Sequence, residues 1–495
     1  MTVYTAPIRD ISFLLEELIG LGDIAALPGF DDITPETVAA ILDQAGRFGE
    51  QVLAPTNAVG DQTGCRLENG AVTTPAPFAD AYRRFCADGW HGMAHDPSQG
   101  GQGMPRLIAT AVSEIWHGAN VALALCPTLT DGAAVAFAAH GDTALKDGYL
   151  RQMISGETSC AMVMTEPQAG SDIGALTCRA VPDGDGYRLF GQKIFISWGE
   201  HDLTDNIVHL VLARLPDAPP GSRGISLFLA PKYLPGADGA LGARNDMRCL
   251  RLEGKLGLHG SPTCVMEYGA GEGARGWIVG DPHKGLAAMF TMMNTARLAI
   301  GHQGIGIAER AWQQARAYAN DRRQGRAPGT ADTPAPIIAH GDVRRMLIGM
   351  KARIEAMRAL ALLAARSVDL ATHHPDSAVR DAHAARVGLL TPIVKAWCTD
   401  GAVEIASEAI QIHGGAGYIE ETGAAQHLRD ARITPIYEGT NGIQALDLVG
   451  RKLGADDGAT AFALIAELRE AAAMSPATLD ALDLLENTMR TLITT

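Results

Sequence analysis

The sequence predicts an α+β protein built in three parts: a helical N-terminal domain, a central β domain and a helical C-terminal domain. Three observations carry this reading. Apolar residues recur at three and four positions from Thr34 to about Gly156, short runs rich in β-branched and aromatic residues follow from about Cys160, and the helical period returns after Gly285. A length of 495 residues accommodates about three domains of ordinary size. The expected boundaries are 1–33 for an N-terminal extension, 34–159, 160–284 and 285–453 for the three domains, and 454–495 for a C-terminal helical extension.

Taken in order, the opening MTVYTAPIRDISFLLEELIG carries acidic residues inside its apolar stretch and lacks a small-residue cleavage site. It reads as an amphipathic helix rather than a signal peptide. In the first domain Val38, Ile41 and Leu42, then Phe78, Tyr82 and Phe85, mark helical faces, and both the Gly-rich stretch 95–105 and Asp131-Gly132 are expected to separate helices. In the β domain the runs 187–197, 207–215, 224–230 and 263–268 read as strands. Asp183-Gly184-Asp185-Gly186 predicts a hairpin, and Pro219-Pro220-Gly221 an exposed connection. The last domain reads as helices over 286–320, 343–372 and 378–413, with a break or kink at Pro392 and a Pro- and Gly-rich loop at 325–336. Two further helical patterns follow Leu453.

Charge and cysteine usage narrow the function. A net charge of −15 leaves no global basic field for nucleic acid, although Arg322, Arg323 and Arg326 form a local basic cluster that by itself reads as a solvated helix end. The eight cysteines form no C-x-x-C pair and no Cys/His group at zinc-ligand spacing, so reduced thiols in a cytoplasm and no metal are expected. No uncharged apolar run reaches the roughly 18 residues of a membrane span.

The segment Met164-Thr165-Glu166-Pro167-Gln168-Ala169-Gly170-Ser171-Asp172 offers backbone donors, hydroxyls and a flexible point at the opening of the β domain. Gly170 and Ser171 allow close approach of a phosphate or thioester tail, and Thr165 offers a hydroxyl to a heteroaromatic edge. On these residues alone, a cofactor loop and an ordinary turn entering a strand are equally good readings. The motif Thr-Glu-Pro-x-Ala-Gly-Ser-Asp, however, resembles the flavin-binding signature of acyl-CoA dehydrogenases. Four more family motifs have counterparts in the same order: Lys193 to Ser197, Tyr318 through Arg322 to Gln324, Gln411 to Tyr418, and Tyr437-Glu438-Gly439-Thr440. The motifs run from Thr165 to Thr440, and across the α-β-α organisation the resemblance covers roughly residues 34 to 453.

The resemblance implies an acyl-CoA dehydrogenase-like fold, FAD as cofactor, an acyl-CoA substrate, and an electron acceptor such as an electron-transfer flavoprotein. It also implies a homodimer or homotetramer, because the family completes its FAD site between subunits. Glu438 is the implied base, although a loop glutamate without the motif would read as an ordinary exposed acid. Met164, Thr165, Phe195 and Ser197 are implied at the flavin ring, Gly170 and Ser171 at the FAD pyrophosphate or thioester arm, and Gly439 at the substrate. Arg322, Gln411, Gly414 and Gly415 are implied at FAD from a neighbouring subunit, with Thr440 and Asn441 completing the site. His413 reads as a satisfied core histidine. Phe195 stands where many members carry Trp, and Trp198, unusual beside Ser197, is expected to narrow a cofactor or substrate edge.

Stretches at 5–17, 64–75, 199–221 and 285–298 resemble the 3-methylmercaptopropionyl-CoA dehydrogenase branch, whose members carry a longer helical region after the position of Leu453. That branch implies a short acyl chain, with conversion of 3-methylmercaptopropionyl-CoA to methylthioacryloyl-CoA as the specific case, and Arg297 holding the CoA portion. Met289, Met292 and Met293 could line a thioether pocket or belong to a helix core, and the core is favoured. An acyl-CoA oxidase and a non-catalytic flavoprotein binding partner are the alternatives.

Overall fold

The computed structural model describes residues 3–236, 240–329, 333–472 and 474–494. Residues 330–332 of the expected loop, and residues 1, 2, 473 and 495 of the two extensions, lie outside the described residues. The N-terminal extension forms short helical segments from Ile8 to Ala25, burying Ile11, Leu14, Leu15 and Ile19 on one side. Thr34 caps the helix Pro35–Phe48, its Oγ1 accepting the Thr37 amide at 3.2 Å, with Pro35 supplying a preset φ in the first turn.

The N-terminal domain continues through Ala54–Thr63, Pro77–Ala87, the 35-residue helix α1 (Arg106–His140) and Thr143–Ser155. The Gly-rich stretch 95–105 is a loop with one short 3-10 turn, as expected. Asp131-Gly132 is not a turn, because it lies inside α1. There a Cβ on Gly132 would stand 3.4 Å from the Met292 carbonyl oxygen, while Asp131 is held by Arg106 at 3.0 Å, so packing between helices overrides the local turn preference. The irregular point of α1 is instead Asn120, whose φ and ψ of −156° and 95° break the helix. Its side chain accepts the Leu123 amide at 3.0 Å and donates to Thr56 Oγ1 at 2.7 Å.

By length and composition α1 is apolar enough to cross a membrane, but 72% of its apolar window is buried within the protein. It is the core helix of the N-terminal domain. That domain also contains a small hairpin, Arg66–Glu68 with Ala71–Thr73, turning at Asn69-Gly70 with both residues at positive φ.

Among the described residues the main sheet of the β domain has eight strands: β1 Thr158–Val163, β2 Arg179–Asp183, β3 Gly186–Ser197, β4 Asn206–Arg214, β5 Ile225–Pro231, β6 Met247–Leu252, β7 Thr263–Tyr268 and β8 Ala274–Val279. Their order is β6-β7-β3-β8-β5-β4-β1, with β2 pairing both β3 and β4. The Asp183 to Gly186 hairpin forms as expected, joining β2 to β3 with these two residues paired. One face of the sheet packs Leu210, Leu212 and Leu227 against α1 and the Met-rich start of the next long helix. The other face packs Val211, Phe228 and Tyr268 into a core of its own.

The C-terminal domain consists mainly of α2 (Gly285–Asp321), α3 (Gly341–His373), α4 (Ser377–His413) and the short α5 (Asn441–Asp447). The helix α4 runs through Pro392 from end to end, so no break occurs there. A buried ionic cluster ties the parts together: Arg358 of α3 meets Glu114 of α1 at 2.6 Å and Glu309 of α2 at 3.0 Å, while Lys351 reaches Asp10 of the N-terminal extension at 2.6 Å. Beyond α5, helices Ala459–Ala471 and Pro476–Thr494 pack on Leu389 and Leu453.

Candidate active site

Three clusters gather the residues that the sequence singles out. The first lies where β1 leaves the sheet. Its anchor is Glu166, whose role the sequence reading missed. One carboxylate oxygen accepts the Cys178 amide at 2.9 Å and meets Lys193 at 3.0 Å, and the other accepts the amide and hydroxyl of Thr177 at 2.7 and 2.8 Å and Gln168 at 2.7 Å. These donors and the ammonium overcome burial and hold its pKa down to about 2. Lys193 also donates to the Met164 carbonyl, and the Ile194 amide donates to the Thr165 carbonyl at 2.9 Å, so Met164 and Thr165 are fixed beside β3.

At this point β3 carries a bulge against β7 between Cys264 and Met266, and Phe195 adopts a φ of +59°. The extra residue re-aims the chain and leaves Phe195 60% exposed, next to half-buried Ser197, while Gly170 and Ser171 are exposed on the loop. An exposed aromatic held at a positive φ is a costly arrangement for a strand, of the kind found where a ligand is to be covered. Trp198 does not narrow this edge. Its side chain is buried in the main core, edge-on to His201 at 5.3 Å, because the bulge turns it inward.

The second cluster surrounds Glu438, in the turn before α5. The residue has a φ of +56°, and Gly439 follows at +85°, where a Cβ would stand 2.8 Å from Gln444 Nε2. Arg297 of α2, only 3% exposed, donates to the Glu438 carbonyl at 3.3 Å and to Asp447 at 3.3 Å. Tyr437 donates to Gln303, and Gln444 donates to the Gly439 carbonyl at 3.1 Å. Lys395 of α4, fully buried, donates to Asn441 Oδ1 at 2.9 Å, and Asn441 in turn donates to Thr399 and Asp400. Thr440 caps α5 by accepting the Ile443 amide. Thr440 and Asn441 are thus committed to holding the turn.

Within this frame Glu438 Oε2 is shielded from solvent and has no hydrogen-bond partner. Burial pushes the carboxyl up to about 7, against the opposing pull of Arg297 and Lys395. Burial likewise lowers Lys395 to about 8. Lys395, Gln303, Gln444 and Asp447 were not singled out from the sequence, since none belongs to a recognisable motif and each is recognised as bracing the Glu438 turn only from its contacts in the fold. Arg297 is placed under the Glu438 turn with intramolecular partners rather than at an open surface, which revises its expected role at CoA. Met289, Met292 and Met293 are core: all three pack between the sheet and α1.

The third cluster stands at the far end of the helical bundle. Tyr318 of α2 stacks on His413 of α4 with ring centroids 4.4 Å apart, which brings Arg322 and the Gln411 to Gly415 segment to one end. His413 is satisfied, its Nδ1 bonding the Ala409 carbonyl at 2.7 Å. Arg322, Gln411, Gly414 and Gly415 are exposed, and a Cβ on either glycine would meet nothing within 4 Å. Gly285 packs on Ser226 and Leu227 of β5, and the 37-residue α2, about 55 Å long at 1.5 Å rise per residue, places Arg322 at its opposite end. Among the described residues no hydrogen bond joins this cluster to the first one.

Comparison with known proteins agrees with this geometry. Family models for the acyl-CoA dehydrogenase N-terminal, middle and C-terminal domains match residues 35–157, 161–269 and 283–453. The chain is 49% identical over 460 residues to 3-methylmercaptopropionyl-CoA dehydrogenase of Ruegeria pomeroyi, covering 92% of this chain and 78% of that one. It is 37% identical over 463 residues to butyryl-CoA dehydrogenase of Syntrophomonas wolfei, covering 91% and 75%. The solved butyryl-CoA dehydrogenase of Megasphaera elsdenii superposes with a TM-score of 0.70 at 27% identity, covering 85% of this chain and 99% of that one. With three domains matched in order, over the same helical, β and helical parts that the structure displays, the chain belongs to the acyl-CoA dehydrogenase family of flavoproteins.

Proposed function

We propose that this protein is an FAD-dependent dehydrogenase that converts a short acyl-CoA thioester to its trans-2-enoyl-CoA, with Glu438 as the base. The observation that supports this most strongly is the state of Glu438: a desolvated carboxylate oxygen with no partner, in a turn braced from three sides, with a pKa brought near neutrality. A general base works best when its pKa lies near the working pH.

A thioester α-proton is weakly acidic, so its removal needs a positioned carboxylate. Glu438 Oε2 is the atom that receives it. Arg297 and Lys395 keep the carboxylate form populated despite burial, and the Tyr437–Gln303 and Gln444–Gly439 bonds fix the turn so that no reorganisation is needed during transfer. The Glu438 backbone N–H has no acceptor among the described residues and is available to the thioester oxygen.

The residues suit FAD. Phe195 presents an aromatic wall to open space, with the Thr165 and Ser197 hydroxyls nearby. Arg322 offers a forked donor for a diphosphate, and the bare backbone of Gly414 and Gly415 leaves room for close approach. In this reading Met164, Thr165, Phe195 and Ser197 hold the ring, Gly170 and Ser171 approach the pyrophosphate or thioester arm, and Thr440 and Asn441 act by holding the Glu438 turn. The chemistry that a bound FAD supplies is acceptance of the β-hydride. Because Arg322, Gln411, Gly414 and Gly415 are exposed at the far end of α2 and bond none of the ring-binding residues, this cluster is read as serving the cofactor of a second copy, which calls for a homo-oligomer. An electron-transfer flavoprotein is the proposed acceptor.

The short-chain assignment, with 3-methylmercaptopropionyl-CoA as the specific substrate, is supported by the 49% identical relative of that name. Anaerobic flavin bleaching with a panel of acyl-CoAs tests it. Butyryl- and 3-methylmercaptopropionyl-CoA should bleach fastest. Preference for palmitoyl-CoA would overturn the chain-length assignment, bleaching by none would overturn the function, and stoichiometric hydrogen peroxide in air would favour an oxidase.

A further inference from the structure

Cys249 of β6 and Cys264 of β7 lie on one face of two adjacent strands, in the core that holds Phe228 and Tyr268. Cys249 pairs with Met266, and Cys264, two residues along β7, projects to the same side as Met266. The two thiols are therefore diagonal neighbours. The Cys264 thiol donates to Cys249, and the Cys249 thiol donates to the Arg251 carbonyl at 3.4 Å. The Glu200 carbonyl stands farther from Cys264 Sγ, at 3.9 Å.

This pair differs from the remaining cysteines in chemistry and in place. Of the eight, only Cys249 has its pKa drawn down, by the hydrogen bond from Cys264. Cys264 is pushed up chiefly because it gives that bond, and Cys65, Cys86, Cys126, Cys160, Cys178 and Cys398 are pushed up by burial. The thiolate is the nucleophilic form of a cysteine. β6 is the outermost strand of the main sheet, and both neighbours of Cys249, Arg248 and Leu250, are exposed, which puts this thiol at the rim of the core.

Closing a disulfide here requires the strands to move, because diagonal positions stand about 7–8 Å apart whereas a disulfide holds its Cα atoms at roughly 4.4–6.8 Å. On the other side of β7, Cys264 pairs with Ile196 and Thr263 with Ser197, at the bulge that presents Phe195 with its positive φ. Drawing Cys264 toward Cys249 therefore pulls on the ladder that holds Phe195 and Ser197.

We propose that Cys249 and Cys264 form a reversible dithiol switch: hydrogen peroxide closes them to a disulfide, and the strand movement loosens the hold of the Phe195 bulge on flavin. The Cys249 thiolate attacks one peroxide oxygen, the O–O bond breaks, and a sulfenic acid forms with release of hydroxide, which takes up the thiol proton as water. The Cys264 thiol then attacks the sulfenic sulfur, the S–S bond forms and a second water leaves. Two thiols are oxidised to one disulfide, and one peroxide is reduced to two waters. The disulfide stands on the pairing of β6 with β7 alone, while its effect on flavin rests on the proposed place of Phe195 at the ring.

The holoprotein is treated with hydrogen peroxide, its remaining thiols are alkylated, and the digested peptides are mapped by mass spectrometry while flavin release is followed by fluorescence. A peptide pair linked through Cys249 and Cys264 is expected, with the other six cysteines alkylated. Flavin should leave about tenfold faster, and dithiothreitol should reverse both changes. Cys249→Ser and Cys264→Ser should each remove the link and keep their flavin in peroxide. Alkylation of both thiols after peroxide, or a sulfinic acid at Cys249 with Cys264 still alkylated, would overturn the switch. A linked pair with unchanged flavin release would overturn the coupling, as would equal flavin loss from Cys249→Ser. If Cys264→Ser fails to fold, Cys249→Ser with the peptide map still decides the matter. A protein that takes up no FAD would contradict the cofactor reading, and the peptide map would still decide the disulfide.

Discussion

Glu166 in the β domain and Glu438 in the helical C-terminal domain are both shielded carboxylates beside a lysine, yet their surroundings push them in opposite directions. Glu166 is saturated by Lys193, Thr177, Cys178 and Gln168 and is held near 2, whereas Glu438 has a bare Oε2 and rises to about 7. The cations near Glu438 are turned to other partners, Arg297 to Asp447 and backbone, Lys395 to Asn441. A saturated carboxylate fixes a loop, and an unsaturated one is left free to take a proton. The same side chain is a structural clamp in one domain and the proposed base in the other because of how many donors the fold supplies.

The comparison breaks most visibly if the two residues respond alike. Glu438→Gln should lower steady-state kcat by roughly 10²–10⁴-fold, the range for loss of a general base, while flavin content stays normal. Lys193→Met should leave Glu166 buried without its cation and cost about 3–5 kcal/mol, seen as an earlier midpoint in urea unfolding, with little change in kcat per folded molecule.

Smaller effects sharpen it. Arg322→Ala, far from both glutamates, should weaken FAD retention by about 1.5–3 kcal/mol, the worth of a charge-assisted bond, read by flavin released on dilution; unchanged retention would remove the phosphate contact. Activity should fall as pH drops through about 7, because the base is lost on protonation. Lys395→Met removes a cation that favours the carboxylate, so the acidic limb should move upward by about one unit, with the rate at high pH least affected. A limb that stays put would exclude Lys395 from the field at Glu438.

Much of this was legible in the sequence because it is local. The spans of α2, α3 and α4 follow from helical periodicity, and the hairpin from Asp183 to Gly186 follows from turn chemistry. The proposed base and flavin segment were legible only through motif resemblance, since a glutamate between Tyr437 and Gly439 has no local feature that makes it unpaired. What stayed hidden depends on contacts between distant segments. Asp131-Gly132 carries turn residues yet sits in a helix because α2 packs against it, and the Asn69-Gly70 hairpin is too short to interrupt the surrounding helical period. Trp198 turns inward because of a bulge set by pairing with β7. Lys395 and Gln303 lie 43 and 135 residues from Glu438 along the chain, and only the bundle brings them to it.

The central claim is that an unpartnered Glu438, and not the saturated Glu166, is the base, and one paired measurement tests it most directly. Glu438→Gln and Glu166→Gln holoproteins are mixed anaerobically with butyryl-CoA and their flavin absorbance is followed in a single turnover. Glu438→Gln should keep its colour and not bleach, while the flavin that Glu166→Gln retains should bleach at close to the normal rate. Near-normal bleaching in Glu438→Gln would contradict it.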